Sequence, residues 1–278
     1  MKNLTVAISI ITYNHEKYII QCLESILEQK TDFSYKIFIT DDCSSDRTKK
    51  ICKEYSEKYP NIIDFEGFDK NIGSMMNFIY NLNKCKKSRA KYVAICDGDD
   101  YWIDKEKLQK QVEVLENNLD IKFSLGKYLI FDQNKKSFNT PSEKIDLASN
   151  NIFTLKDYLS NKFSQTSTFL FRNDFEIPEW MESAYLGDQS LVVVVVGDSK
   201  IYYHRDDFSV YRVHTSGISS NISAYKRFEK YIYFFRKVNE HTNRKYYKII
   251  FKRFLLSLPM FFKLFIAQLI LKKNRHIV

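Results

Sequence analysis

The chain has 278 residues and a net charge of +9, long enough to bury roughly 70–75% of its unfolded surface around one core, or one core with an appendage. Seven glycines and four prolines exclude collagen-like and low-complexity classes. Five scattered cysteines (Cys22, Cys43, Cys52, Cys85 and Cys96) form no CxxC pair, which argues for a reduced, cytosolic compartment over a disulfide framework or a zinc site.

Val6–Ile11 reads as a buried strand. It is too short for the apolar core of a signal peptide and no small-residue cleavage site follows, so none is expected. Tyr18–Gln29 places Ile19, Ile20, Leu23, Ile26 and Leu27 on one helical face. Tyr35–Thr40 is a second strand, ending at Asp41-Asp42. A helix then starts at Ser45 or Asp46 as N-cap and runs to about Tyr59, before Pro60. Ile62–Phe65 is a third strand, Asn71-Ile72-Gly73 a turn and Met75–Leu82 a helix. Tyr92–Cys96 is a fourth strand, ending at Asp97-Gly98-Asp99-Asp100, and Lys105–Asn117 is an amphipathic helix. This alternation predicts an α/β fold with a mostly parallel central sheet flanked by helices, whose ligands gather beyond the strand ends.

After residue 120 the alternation stops. Ile121–Phe131 and Thr168–Phe171 read as strands, Asp132–Asn151 as a polar excursion, and Ile201–His204 with Phe208–Val213 as a strand pair or an extended stretch. Leu191–Val196 is ambiguous: five valines favour a strand by propensity, whereas Gly187-Asp188 suits a helix start. Residues 221–278 form a basic, apolar extension expected to be helical. Residues 1–220 are then one domain, with an alternating half to about 120 and a second half beyond.

Asp97-Gly98-Asp99-Asp100 is the sharpest chemical feature. Three carboxylates in four residues repel one another unless a cation or solvent intervenes, and hard oxygen ligands suit Mn²⁺ or Mg²⁺ with a substrate's phosphates. On those four residues alone, an acidic turn that caps the next helix competes equally. Asp41-Asp42 is a second acidic pair at a strand end, where a carboxylate can accept hydrogen bonds from a base or ribose. Asp188 and His214 are each ordinary when taken singly. No P-loop, GxGxxG, HExxH or GxSxG motif is present, which removes most support for P-loop enzymes, zinc hydrolases and dinucleotide oxidoreductases.

Ser9-Ile10-Ile11-Thr12-Tyr13-Asn14, Asp41-Asp42-Cys43-Ser44-Ser45-Asp46, Asn71-Ile72-Gly73, Asp97-Gly98-Asp99-Asp100-Tyr101-Trp102, Gly187-Asp188 and Tyr211-Arg212-Val213-His214, in that order, resemble bacterial family 2 glycosyltransferases of the GT-A fold. The resemblance covers about residues 4–220 and implies an inverting, metal-dependent transferase that takes a sugar from a nucleotide-diphosphate donor, most simply a UDP-sugar. It implies that Thr12 and Asn14 line the nucleotide pocket and that Asp42, or else Asp41, holds the base. Asp97 would face the ribose or the metal, Asp99 would bind Mn²⁺ or Mg²⁺, Asp188 would be the catalytic base, and His214 would face the diphosphate or the metal. Asp100 would cap or orient. Lys70, Asn71, Gly73 and Gly98 complete the expected donor side. The stretch after Gly187-Asp188 departs from the aromatic-rich helix of many relatives.

Such acceptors are glycans, often lipid-linked. The basic residues of the extension are interleaved with Phe, Leu and Ile, which favours a membrane surface over nucleic acid as partner. A helix lying in the membrane interface, on the cytoplasmic face, is expected first. One docked on the catalytic domain or on a second copy comes next, which leaves a homo-oligomer open, and a span last, since Pro259, Lys263 and Gln268 interrupt the apolar run. The rival functions are a non-catalytic nucleotide-sugar binder and a nucleotidyltransferase; the latter lacks a glycine-rich triphosphate loop.

Overall fold

The computed structural model describes residues 4–141, 151–161, 165–184, 186–215 and 224–259. The first half alternates as expected: β1 (Val6–Thr12), α1 (Ile19–Leu27), β2 (Tyr35–Asp41), α2 (Thr48–Lys58), β3 (Ile63–Gly67), α3 (Ser74–Lys87), β4 (Tyr92–Ile95), β5 (Tyr101–Trp102) and α4 (Lys107–Asn117). The second half contains β6 (Ile121–Asp132), β7 (Ser137–Asn139), β8 (Ile152–Thr154), α5 (Leu155–Ser160), β9 (Leu170–Arg172), α6 (Gly187–Val196), β10 (Lys200–Val213) and α7 (Ala224–His241). A last helix, α8, covers residues 247–259.

One sheet runs in the order β3-β2-β1-β4-β9-β6-β10-β5, with β7 on β6 and β8 on β10. β3, β2, β1 and β4 are parallel, as are β6 and β10, while β9 is antiparallel to both of its neighbours. β1 lies between β2 and β4, so the strand order reverses there and leaves a crevice at the carboxyl ends. Side chains alternate across the sheet with the strand period of two. Val6, Ile8 and Ile10 face the core under α1 and α2, while Ala7 faces the core under α3 and α6. Asn77 and Asn81, one turn apart on α3, are buried against the sheet. Asn81 Nδ2 lies 3.1 Å from the Ile10 carbonyl and 2.9 Å from that of Phe38, clamping α3 over β1 and β2.

Several local expectations resolve differently. The N-cap of α2 is Arg47, neither Ser45 nor Asp46, and no side chain caps it; Asp46, one residue earlier, accepts the Thr48 amide at 2.9 Å. Of the two readings of 201–213, the extended stretch holds: it is one strand, β10, whose register shifts between His204 and Ser209 and throws Arg205, Asp206 and Asp207 outward. Thr166–Thr168 is a 3-10 turn before β9. The valine run is helical: Leu191, Val192, Val193, Val195 and Val196 are all buried in α6, and burial on several sides overrides the small propensity penalty of β-branched residues. Of the polar excursion, residues 142–150 lie outside the described residues.

The C-terminal helices dock on the domain. Phe234, Phe235 and Val238 of α7 and Ile250 of α8 belong to the same buried cluster as Val93, Ile95 and the valines of α6. No described helix is long and apolar enough to cross a membrane; residues 260–278, which carry most of the expected apolar run, lie outside the described residues.

Candidate active site

A cleft of about 480 Å³ opens at the switch point. The end of β1 supplies Ile11, Thr12, Tyr13 and His15; the loop after β2 supplies Asp42, and the start of α3 supplies Asn71, Ser74 and Asn77. The loop after β4 supplies Asp97 and Asp99, and the end of β10 supplies Tyr211 to His214. Thr12, Asp42, Asn71, Asp97, Asp99 and His214 of the expected residues therefore line it. Asn14, Asp41, Lys70, Gly73, Gly98 and Asp188 do not.

The residues off the wall have other positions. Asn14, in a left-handed conformation (φ 55°), ties the β1 loop to the β2 loop: its amide donates to Ser44 Oγ at 2.8 Å and its Oδ1 accepts from the Ser45 amide at 2.9 Å. Asp41 is buried and accepts from the Ser44 amide and hydroxyl; burial raises its pKa against those bonds. Lys70 is exposed. Gly98 is required by space, since a Cβ there would stand 2.8 Å from Thr12 Oγ1 and 3.0 Å from His15 Nδ1.

Asp42 acts on the turn. Its two oxygens accept from the Ile72 amide at 2.7 Å and the Gly73 amide at 3.0 Å, and Gly73 adopts φ 90°, a conformation open to glycine. That bond pair seats the Asn71-Ile72-Gly73 turn against β2 and brings Asn71 into the cleft.

Asp99 stands between two imidazoles. Its Oδ2 is 3.0 Å from His214 Nε2 and 3.6 Å from His15 Nε2. Burial pushes its pKa up, but the His214 hydrogen bond and the fields of both histidines outweigh that and hold it below the ordinary carboxylate value. His15 is moved down, first by burial and then by His214, against the pull of Asp99. Asp97 is pushed up to about 7, chiefly by burial and then by the charges of Asp99 and Asp188. Asp188, in the first turn of α6, is thus near enough to act on Asp97. Asp100 is buried and turned away from the cleft. It accepts the Arg212 amide at 2.9 Å, while Arg212 Nε donates to the Asp99 carbonyl at 2.9 Å. This double tie joins the end of β10 to the β4 loop and sets His214 beside Asp99.

His15, Tyr211 and Arg212 are site residues that the sequence did not single out for chemistry. His15 carried a faint signal, three residues beyond Thr12 at a strand end. No group of three or more His, Cys, Asp or Glu side chains among the described residues could hold a metal ion alone. Asp99 and His214, side by side on the cleft wall, still fit a hard divalent cation that keeps few protein ligands and completes its shell with phosphates.

Residues 7–174 match glycosyl transferase family 2. The chain belongs to that family. It is 30% identical over 211 residues to an uncharacterized Mycobacterium tuberculosis protein, Rv1520, covering 75% of this chain and 58% of that one, so it spans little more than half of this relative's length. A putative teichuronic acid biosynthesis glycosyltransferase of Bacillus subtilis, TuaG, is 31% identical over 163 residues, 58% of this chain and 60% of that one. Two solved family-like structures share the fold. Staphylococcus aureus TarS with UDP-GlcNAc superposes with a TM-score of 0.68 at 19% identity, covering 91% of this chain and 72% of that one. The Pyrobaculum calidifontis mannosyltransferase PcManGT, with GDP-Man and Mn²⁺, gives 0.60 at 16% identity, covering 94% and 74%. The mostly parallel, helix-flanked GT-A architecture expected from the resemblance is the one observed.

Proposed function

We propose that this chain is an inverting, metal-dependent glycosyltransferase that moves a sugar from a UDP-sugar to a hydroxyl of a glycan or lipid-linked acceptor in cell-surface polysaccharide synthesis. The observation that carries the proposal is the Asp99–His214 pair at 3.0 Å on the wall of the switch-point cleft. The cleft volume suits a nucleotide-sized ligand. TuaG, TarS with UDP-GlcNAc and PcManGT with Mn²⁺ lend support by likeness.

Thr12, Asp42 and Asn71 would hold the nucleoside side of the donor. Asp99 and His214, with Asp97 beside them, would hold Mn²⁺ or Mg²⁺. When bound, the ion neutralises the diphosphate as it leaves. Asp188 would take the proton of the acceptor hydroxyl, the acceptor oxygen would bond to the anomeric carbon, and the electron pair of the broken C–O bond would leave with the diphosphate. A base opposite the leaving group gives inversion, and general-base help of this kind is worth about 10²–10⁴-fold. Asp99 stands on the β4 loop, and Asp188 stands off the cleft wall in the first turn of α6, where its charge acts on Asp97, so metal and base functions would sit on separate elements.

The acceptor side includes a membrane surface. Tyr247, Phe251 and Leu255 recur at i, i+4 and i+8 on α8 and are exposed with Leu256, flanked by exposed Lys248 and Lys252. This pattern supports a membrane-surface location, which we infer to be the cytoplasmic face.

A thermal-shift panel of nucleotide-sugars, with and without Mn²⁺, tests the proposal. Stabilisation by one UDP-sugar only with metal present is expected. Indifference to every donor overturns it, and metal-dependent binding with neither transfer nor donor hydrolysis favours a non-catalytic binder.

A further inference from the structure

Helix α8 presents a charged side chain inward. Arg253 donates from one terminal nitrogen to Gln189 Oε1 at 2.6 Å and from the other to the Leu159 carbonyl at 3.4 Å. Gln189 is 2% exposed and follows Asp188 in the first turn of α6. A half-buried guanidinium is a costly way to dock a helix that already buries Ile250 and packs Ile249 and Phe254 against the same core. Burial lowers the pKa of Arg253, and Tyr158, Tyr231 and Asp188 act against that shift, so the cation and the Asp188 carboxylate feel one another. Asp188 also acts on Asp97. A line of interacting groups therefore runs from α8 through the α6 end to the β4 loop.

We propose that Arg253 is a positioning residue: through Gln189 it fixes the first turn of α6, and with it the carboxylate of Asp188, so that α8 bears on the catalytic site through this one side chain. This rests on Asp188 being the base. A helix end held by a neutral amide alone could rotate or fray by a turn, and misplacing a catalytic group by about 1 Å costs on the order of 10²-fold.

The test uses the full chain. Turnover is followed as UDP release from the donor that the panel selects, nucleotide affinity with UDP and Mn²⁺, and local order by amide exchange over residues 187–191. Arg253→Ala is expected to lower kcat roughly 10- to 100-fold, to leave UDP affinity within about twofold and to speed exchange over 187–191. Arg253→Lys restores part of kcat. Gln189→Ala gives a similar loss, and the double variant is no worse than either single one, as coupled residues require. Ile250→Ala serves as the stability control: it lowers Tm and leaves kcat at saturating donor within about twofold. Arg253→Ala with wild-type kcat, or losses in Arg253→Ala and Ile250→Ala that both simply follow Tm, overturns the role. Asp188→Asn, run alongside, keeps the two claims apart. An active D188N removes the base assignment and this inference with it, whereas an inactive D188N with fully active Arg253→Ala overturns the Arg253 role alone.

Discussion

His214 Nε2 lies 3.0 Å from Asp99 Oδ2 although 115 residues separate them in the chain. The contact exists because the buried Asp100 carboxylate takes the Arg212 amide, which pulls the last residues of β10 over the β4 loop. Two adjacent aspartates thus divide the work: one faces the cleft, the other builds the wall that completes it. Asp99→Asn and His214→Ala should each weaken Mn²⁺-dependent UDP binding by about tenfold or more, equivalent to about 1.4 kcal/mol, while metal-free UDP binding changes little. Isothermal titration of UDP with and without Mn²⁺ checks this. Equal losses with and without metal would show that the pair contacts the nucleotide instead.

Gly98 should tolerate no side chain. Its missing Cβ lets the β4 loop approach Thr12 Oγ1 and His15 Nδ1, and both neighbours belong to the cleft. Gly98→Ala is expected to cost about 1–3 kcal/mol of stability as overpacking and to weaken donor binding more than a surface Gly→Ala change of equal stability cost. Urea unfolding paired with donor titration separates the two effects.

The first 120 residues were legible because each strand and helix there carries its own periodicity and its own stop signal: Pro60 ends α2, and the acidic turn ends β4. Of the acidic residues at those ends, Asp42, Asp97 and Asp99 line the cleft while Asp41 and Asp100 do not, a division that periodicity does not carry. His15, Tyr211 and Arg212 were not legible. Tyr211 and Arg212 are drawn into the cleft by the pairing of β10 with β5 and by the Asp100–Arg212 tie, contacts between segments more than 100 residues apart, while His15 is set by its amide's bond to Thr48 Oγ1 on α2. The valines of α6 left the choice between strand and helix open for a simpler reason. Their intrinsic preference is worth a few tenths of a kcal/mol each, whereas the burial of four of them together with Leu191 is worth far more. For the extension, hydropathy announced an apolar face but not which of two surfaces it would meet. α8 in fact has both, with Ile250 and Arg253 inward and Phe251 and Leu255 outward.

That outward face makes a membrane prediction. Phe251→Glu with Leu255→Glu should reduce binding to phosphatidylglycerol vesicles by about tenfold or more, by removing apolar area and adding like charge to an anionic surface. Because both side chains point away from the core, Tm should move by less than the several degrees that follow from a lost core contact. Vesicle sedimentation at two salt concentrations measures the loss. Unchanged binding would assign the face to another partner.

Lys107 gives the clearest pH signature. It is fully buried at the start of α4, donates to the neutral Gln111 Oε1 at 2.7 Å and lies 4.1 Å from the Trp102 ring centre. Burial lowers its pKa to about 7, with Cys96 and Asp104 pulling weakly the other way. Between about pH 7 and 10.5 the unfolded chain therefore holds a proton that the folded chain has released, so this group makes stability rise with pH across that window. Below pH 7 both states are protonated and the burial penalty is fully present. Tyrosines and cysteines also titrate in the alkaline range, so the difference between wild type and Lys107→Met isolates the lysine. That difference should change by up to roughly 4 kcal/mol between pH 7 and 10, in the sense that the variant gains its advantage at the lower pH. The advantage is offset in part by Gln111, which loses its donor. Urea unfolding at half-unit pH steps checks the slope; a pH-independent difference would mean that the amine reaches solvent.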